Sequence, residues 1–183
     1  RQAGDIFARL LPGAHITLSG EIGRVGLLER ENAAIMNACL RHLSRDVVQA
    51  FRDAIAGAGI KGRFYLTQND GTLMDAGFAE RFPVLTFASG PTNSMRGAAF
   101  LSGVGDAIVV DIGGTTSDVG SLQKGFPRQA TVAVEVGGVR TNFRMPDVFS
   151  VGLGGGSHVV HASDGTLRIG PESVGYRIRT DAR

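Results

Sequence analysis

Residues 107–121 read AIVVDIGGTTSDVGS, and the reading of this stretch decides the fold. An apolar run ends on Asp111, the chain passes two glycines and two threonines, and a second acid, Asp118, opens another apolar run. Two structures fit that text. In one, Gly-Gly is the turn of an ordinary β-hairpin, and the threonines and aspartates are its hydrogen-bonding rim. In the other, the loop wraps a phosphate. Gly113 and Gly114 take positive φ without a Cβ penalty and let backbone N–H groups approach an anion. Thr115 and Thr116 add hydroxyls, and Asp111 and Asp118 hold a hydrated Mg²⁺ or orient an attacking water. Two carboxylates beside a phosphate repel it unless a cation intervenes, so the second reading requires a metal. An unpaired charge at the end of a strongly apolar strand is costly, which weighs toward the phosphate loop.

Upstream of the loop, AHITLSGEIG alternates from Ala14 to Leu18 as a short strand, and the text from Leu28 to Ala56 is helical in period. Its apolar stripe is Ala34, Ile35, Ala38, Leu43, Val47, Val48, Phe51 and Ile55, and Gly57 and Gly59 stop the helix. RFYLTQNDG gives a strand into a turn, TLMDAGFAERF a short helix, PVLTFASG a third strand, and PTNSMRGAAFLSGVG a helix over 91–103. Beyond Gly105, AIVVDI, TTSDVGSLQ and QATVAVEV read as consecutive antiparallel hairpin strands, and Asp164-Gly165 marks a hairpin between HVVHA and TLRIG. The expected class is α/β, with α+β as the alternative. The expected division is a helix-rich segment over 1–105 and a strand-rich segment over 106–183.

A chain of 183 residues suits one ordinary domain or two small lobes. Hydrophobic residues at 43% and charged residues at 20% are a globular balance. The net charge of +2 comes from scattered Lys and Arg without an aromatic-interleaved stripe, which argues against nucleic acid as a partner. No apolar run is long enough for a membrane span and the N-terminus lacks a signal-peptide pattern, so the expectation is a soluble, cytoplasmic protein. Cys39 is the single cysteine; in the helical context MNACLRHL it is expected as a buried small apolar residue. The 27 glycines collect around residues 113, 137 and 154, where they imply backbone work. The chain starts at Arg1 without a methionine and ends at Arg183 just after a strand-like run, and is expected to be a piece of a longer protein.

DIGGTTSD resembles the phosphate-binding loop of the actin, sugar kinase and Hsp70 ATPase superfamily. More narrowly, SGPTNSMRGA at 89–98, VVDIGGTTSDV at 109–119, SVGLGGGSH at 150–158 and LRIGPESVG at 167–175 resemble, in that order, motifs of the hydantoinase A / 5-oxoprolinase family. ITLSGEIG and NAAIMNACL are similar to that family's text as well. The resemblance implies a ribonuclease H-like ATPase lobe of antiparallel hairpins and flanking helices, with 1–105 completing a preceding lobe. It implies ATP and Mg²⁺ as cofactors, with Asp111 and Asp118 managing metal and water and residues 113–116 binding phosphate. Family members carry an earlier DxGGT-type loop in an N-terminal lobe, so this chain resembles a central part that holds the second phosphate loop.

Gly154, Gly155, Gly156 and Ser157, in the run GLGGGS, gain a nucleotide-binding role from the resemblance; the alternative is a glycine-lined packing turn. Ser157 stands where a dinucleotide GxGxxG would have its third glycine, which weakens a Rossmann reading. Ser89 and Gly90 precede a helix and are candidates for an anion or substrate contact, as is Asn69 in TQNDG, although capping and turn chemistry explain all three. Arg96 is a candidate anion contact or a surface residue, and Glu135 a buried partner or a rim carboxylate. His158 and His161, three apart on a strand, face opposite sides and make a poor metal pair.

The function implied by the resemblance is ATP-dependent opening of a cyclic amide, hydantoin-like or 5-oxoproline-like, by phosphoryl activation. The fragment alone is expected to be inactive, and a B-type hydantoinase subunit is the implied partner. The alternatives are an ATP-dependent ketone carboxylase subunit, a sugar-kinase-like phosphotransferase and a nucleotide-binding module without catalysis.

Overall fold

Helices and antiparallel hairpins alternate along the chain in a computed structural model that describes residues 2–131 and 133–181. The helices are α1 (Gln2–Leu10), α2 (Leu28–Gly57), α3 (Ala76–Arg81), α4 (Ser89–Ser102) and the short α5 (Ile178–Asp181). The strands are β1 (Tyr65–Thr67), β2 (Leu73–Asp75), β3 (Ala107–Ile112), β4 (Ser117–Gln123), β5 (Phe126–Pro127), β6 (Val134–Val136), β7 (Val139–Thr141), β8 (Val148–Val151), β9 (Ser157–His161) and β10 (Leu167–Ser173). Every strand pairing among the described residues is antiparallel. The chain forms two units that interleave in sequence. One is the chain through Ser89 together with Gln129–Pro146, and the other is Gly90–Arg128 together with the chain from Asp147 onward. The sequence reading divides the chain once, after residue 105, whereas here α4 belongs with the later hairpins and residues 129–146 return to the first unit.

The first unit is organised on α2, whose extent matches the periodicity. It ends in a Schellman motif: Gly59 at φ 70° donates to the Ala56 carbonyl, and Ile60 donates to the Ile55 carbonyl. The buried face differs from the expected stripe. Ala33, Asn37 and Val48 are buried, while Ile35, Leu43, Val47 and Phe51 are exposed. Asn37 explains the rotation. Its amide nitrogen donates to Thr17 Oγ1 (3.1 Å) and to the Arg81 carbonyl (3.0 Å), so a polar residue with satisfied bonds occupies the core side. Cys39 lies off that face and is exposed, contrary to the expected burial. The core is Ile22, Ala33, Phe82, Val84 and Phe143, and each large apolar side chain buried there contributes roughly 1.5–3 kcal/mol.

Local chemistry revises four expected elements of this unit. Residues 14–18 do not form a strand: the segment has no pairing partner and leads into a 3-10 turn, Ser19–Glu21. TLMDAGF splits because Asp75 caps α3, its carboxylate accepting from the Phe78 amide at 3.1 Å, and the residues before it pair with β1 as β2. PVLT forms a 3-10 turn, Pro83–Thr86, instead of a strand; the Thr86 hydroxyl closes it by donating to the Pro83 carbonyl at 2.7 Å. QATVAVEV yields only β6, turned into β7 through Gly137 and Gly138 at φ 58° and 81°, the two positive values a two-residue hairpin turn demands. Val132 of that run lies outside the described residues.

In the second unit the expected hairpins appear in register. β3 pairs with β4 from Ala107↔Leu122 to Ile112↔Ser117, and the far edge of β4 pairs with β5 and β8. Helix α4 lies against one face of this sheet. A Cβ placed on Gly120 would stand 2.8 Å from Met95 Sδ, so the buried glycine makes room for the helix. α4 begins at Ser89, two residues before the expected start at Pro91. β9 and β10 form the Asp164-Gly165 hairpin. There the Thr166 hydroxyl (2.7 Å) and amide (2.9 Å) donate to Asp164 and hold its carboxyl below the ordinary range. No helix among the described residues is long and apolar enough to cross a membrane.

Candidate functional site

The β3–β4 turn is as tight as a hairpin allows. The Gly113 amide donates to the Thr116 carbonyl at 2.9 Å, which leaves Gly114 and Thr115 as the two turn residues. All four residues from 113 to 116 are exposed. Neither glycine lies in the left-handed region, so positive φ, the expected reason for glycine here, does not apply. The amides of Gly114, Thr115 and Thr116 have no hydrogen-bond partner among the described residues, and neither have the two threonine hydroxyls. Three backbone donors and two hydroxyls without partners therefore stand together on exposed residues, the kind of donor set that binds an anion.

Immediately below the turn, Asp111 and Asp118 are directly opposite partners in the β3–β4 register. Directly opposed residues project from the same face of a sheet with Cβ atoms about 4.5–5.5 Å apart, so both half-buried carboxylates stand side by side. Like charges so placed are destabilising. One step further across the sheet, Ser150 of β8 is the register partner of Asp118, and its hydroxyl donates to Asp118 Oδ1. The row Asp111, Asp118, Ser150 offers hard oxygen donors only. That set fits a cation that takes one or two carboxylates and completes its shell with water and phosphate oxygens. No group of three or more His, Cys, Asp or Glu side chains converges on a metal position among the described residues, so the fit is to a phosphate-shared cation and not to an all-protein cage.

The GLGGGS run packs against the back of this turn. The Gly155 amide donates to the Gly113 carbonyl (3.0 Å) and the Gly156 amide to the Gly114 carbonyl (2.7 Å). The Gly154 amide donates to Ser157 Oγ (2.9 Å), and the Ser157 amide to the Gly154 carbonyl (3.0 Å). All four residues expected to bind nucleotide through their amides therefore have those amides engaged within the protein. A Cβ on Gly154 would lie 2.6 Å from the Gly113 carbonyl oxygen and 2.8 Å from the Thr115 nitrogen, so the glycine permits backbone to rest on backbone. Ser117 adds a further tie, its hydroxyl donating to the Leu153 carbonyl at 2.7 Å.

The remaining candidates are not brought into this row. Asn69 is buried in the first unit, where its side-chain amide donates to the Arg144 carbonyl and its backbone amide to the Leu85 carbonyl at 2.8 Å. Asp70 closes the adjacent turn by accepting from the Thr72 hydroxyl at 2.6 Å. Ser89 is half-buried in the first turn of α4, and Gly90 is exposed with open space around its Cβ direction. Arg96 is engaged: its guanidinium lies 3.9 Å from the Phe126 ring centroid and donates to the Gly125 carbonyl. Glu135 is exposed and pairs in register with Arg140. His158 and His161 are exposed on β9. Ser150 and Ser117 carry no local signal of their roles, because both depend on contacts more than thirty residues away in sequence.

The hydantoinase/oxoprolinase family model matches residues 30–180. The chain belongs to the hydantoinase/oxoprolinase family. Among curated relatives, this family chain is 29% identical over 161 residues to the acetophenone carboxylase gamma subunit of Aromatoleum aromaticum, covering 84% of itself and 21% of that protein. It is 27% identical over 191 residues to an uncharacterized protein of Methanocaldococcus jannaschii, covering 96% of itself and 28% of the relative. Its fold is similar to the ATP-dependent caprolactamase of Pseudomonas jessenii, with TM-score 0.72 and 21% identity over 97% of this chain and 26% of that one. It is also similar to nucleotide-free acetone carboxylase, with TM-score 0.68 and 22% identity over 97% and 26% of the two chains. The chain thus spans about a quarter of the length of these relatives.

Proposed function

We propose that this chain supplies one phosphate-binding loop of an ATP-dependent enzyme that activates a cyclic amide, hydantoin-like or 5-oxoproline-like, by phosphoryl transfer. The observation that carries the reading is the turn at 113–116, whose three free amides and two free hydroxyls stand above the opposed carboxylates of Asp111 and Asp118. Gly114, Thr115 and Thr116 bind the transferring phosphoryl oxygens, and their preset orientation removes the reorganisation that water would require. Asp111 and Asp118 hold Mg²⁺, through water or directly, and orient the attacking water. The bound ion neutralises charge on the phosphate oxygens. An amide is a poor electrophile. Once its oxygen carries the γ-phosphoryl group and the bond to ADP has broken, water adds to the carbon and the ring C–N bond opens with the nitrogen taking a proton; the acyl phosphate so formed loses phosphate to a second water, leaving the carboxylate.

A cytoplasmic setting, a B-type hydantoinase partner and a second phosphate loop elsewhere in the assembled enzyme belong to the same proposal. Carboxylation of a ketone is the second reading, favoured by the 29% identity to the acetophenone carboxylase gamma subunit. The two share the loop and differ in what receives the phosphoryl group.

The test is ATP turnover by the intact protein with panels of cyclic amides and of ketones with bicarbonate. Amide-dependent turnover that falls at least about a hundredfold in Asp111→Asn is expected, a loss typical of removing a group that acts in the transition state. Ketone- and bicarbonate-dependent turnover selects the second reading. Hydrolysis indifferent to every substrate, or unchanged in Asp111→Asn, refutes both.

A further inference from the structure

Resting on the phosphate-loop reading above, we infer that Ser150 is the positioning residue for Asp118, setting the carboxylate that meets the cation. Among the described residues no other side chain donates to Asp111 or Asp118, so the orientation of the acidic pair depends on this hydroxyl. The need for it follows from register. Asp118 stands between Asp111 on one side and Ser150 on the other, all on one face of the sheet. Repulsion from Asp111 pushes the Asp118 carboxylate away from its partner, while the hydroxyl proton holds Oδ1 on the β8 side and leaves Oδ2 free.

The base of the row is firm. Gly120 follows Asp118 on the same face and packs on Met95 of α4, and its own register partner is Val148, two residues before Ser150. β8 then runs directly into the 152–157 loop, whose Gly155 and Gly156 amides hold the carbonyls of Gly113 and Gly114. One strand therefore fixes both the carboxylate and the turn with the free amides, so the spacing between cation ligand and phosphate donors is set by a single element. Hydrogen bonds of this outer kind are worth 10- to 100-fold in metal affinity or activity.

The experiment uses the intact protein with ATP and Mn²⁺ in place of Mg²⁺. It reads bound Mn²⁺ by electron paramagnetic resonance and, separately, the Mn²⁺ concentration that gives half-maximal ATP turnover. Ser150→Ala is expected to raise the Mn²⁺ dissociation constant read from the resonance signal about tenfold, and the half-maximal Mn²⁺ concentration by a similar factor. Ser150→Thr, which keeps the hydroxyl and suits a strand, is expected to stay within about twofold of the unsubstituted protein. Far-UV circular dichroism and the thermal midpoint report folding of each variant. Mn²⁺ affinity unchanged in Ser150→Ala overturns the inference, and so does a Ser150→Thr loss as large as that of Ser150→Ala in a folded protein. Asp118→Asn separates the two levels. If it abolishes Mn²⁺ binding while Ser150→Ala does not change it, only the role of Ser150 fails. If Asp118→Asn also binds Mn²⁺ normally, the phosphate-loop reading falls and takes this inference with it.

Discussion

The two glycine loops of the second unit look alike in sequence, DIGGTTSD and SVGLGGGS, and do opposite things. In the first, the amides of Gly114, Thr115 and Thr116 are free and the Cβ direction of Gly114 meets nothing within 4 Å. In the second, the amides of Gly154, Gly155, Gly156 and Ser157 are all engaged, and the Cβ directions of Gly154 and Gly156 run into the first loop or its neighbours. One loop is exposed with unpartnered amides, and the other is the surface it rests on. Packing requires glycine in the second loop, where backbone contacts backbone, whereas in the first neither a positive φ nor a close contact at Gly114 demands it.

The largest expected effect follows from that contact. In Gly154→Ala the new methyl meets the Gly113 carbonyl oxygen at 2.6 Å and backbone atoms of Gly114 and Thr115 at 2.8 Å, none of which can rotate away. Overpacking of this kind costs about 1–3 kcal/mol and occasionally more, and here the upper part of that range is expected. Denaturation followed by far-UV circular dichroism measures it. A Gly154→Ala protein as stable as the original would mean that the second loop does not brace the first.

Gly156→Ala is expected next, at roughly 1–2 kcal/mol, because its methyl meets the Ser173 hydroxyl at 2.8 Å, which can turn aside, but also the Gly114 carbonyl oxygen at 3.0 Å. Gly155→Ala is the internal control. Its methyl finds only the Gly113 oxygen at 3.9 Å, an ordinary contact, and the change should stay within about 0.5 kcal/mol. Three adjacent glycines thus give a graded series, and equal costs would contradict packing as the cause.

The distinction between the loops was only half legible in the sequence. The apolar run ending at Asp111, the acid at 118 and the glycines between them locate the β3–β4 hairpin but not its register: a Gly-Gly turn would set Asp111 opposite Thr116, whereas the turn residues are Gly114 and Thr115 and Asp111 meets Asp118. The α2 boundaries were likewise written in a 3.6-residue period and a terminal glycine. What stayed hidden depends on partners distant in the chain. Asn37 takes the core side of α2 because Thr17 and Arg81 supply its hydrogen bonds, and periodicity counts it as solvent-facing. The amides of residues 154–157 read as available donors until β8 is seen to pair with β4, a pairing that brings the loop onto Gly113 and Gly114. Ser150 is one serine among apolar neighbours until the same pairing sets it opposite Asp118.

Gly114→Ala sharpens the comparison from the other loop. Its stability should change by less than about 0.5 kcal/mol, since no atom lies near the added methyl. Nucleotide affinity, measured by isothermal titration of ATP with Mg²⁺ on the intact protein, should instead fall about tenfold, because the methyl occupies space beside the free amides. A stability loss without an affinity loss would assign this glycine to packing, as in the second loop.

Ser117→Ala tests the smallest of the ties. Its hydroxyl donates to the Leu153 carbonyl at 2.7 Å, and removing one hydrogen bond of a half-buried hydroxyl costs about 0.5–1.5 kcal/mol. The informative quantity is the coupling to Gly154→Ala. If Ser117 and Gly154 hold one brace, the methyl at 154 already pushes the second loop off the first, and the hydrogen bond to Leu153 is lost with it. Ser117→Ala should then cost little in the Gly154→Ala background, giving an interaction free energy of roughly 0.5–1 kcal/mol in a double-mutant cycle. Strict additivity would mean that the serine tie survives the displacement. The two loops would then be held by independent contacts, and the turn at 113–116 would keep its place without the backbone behind it.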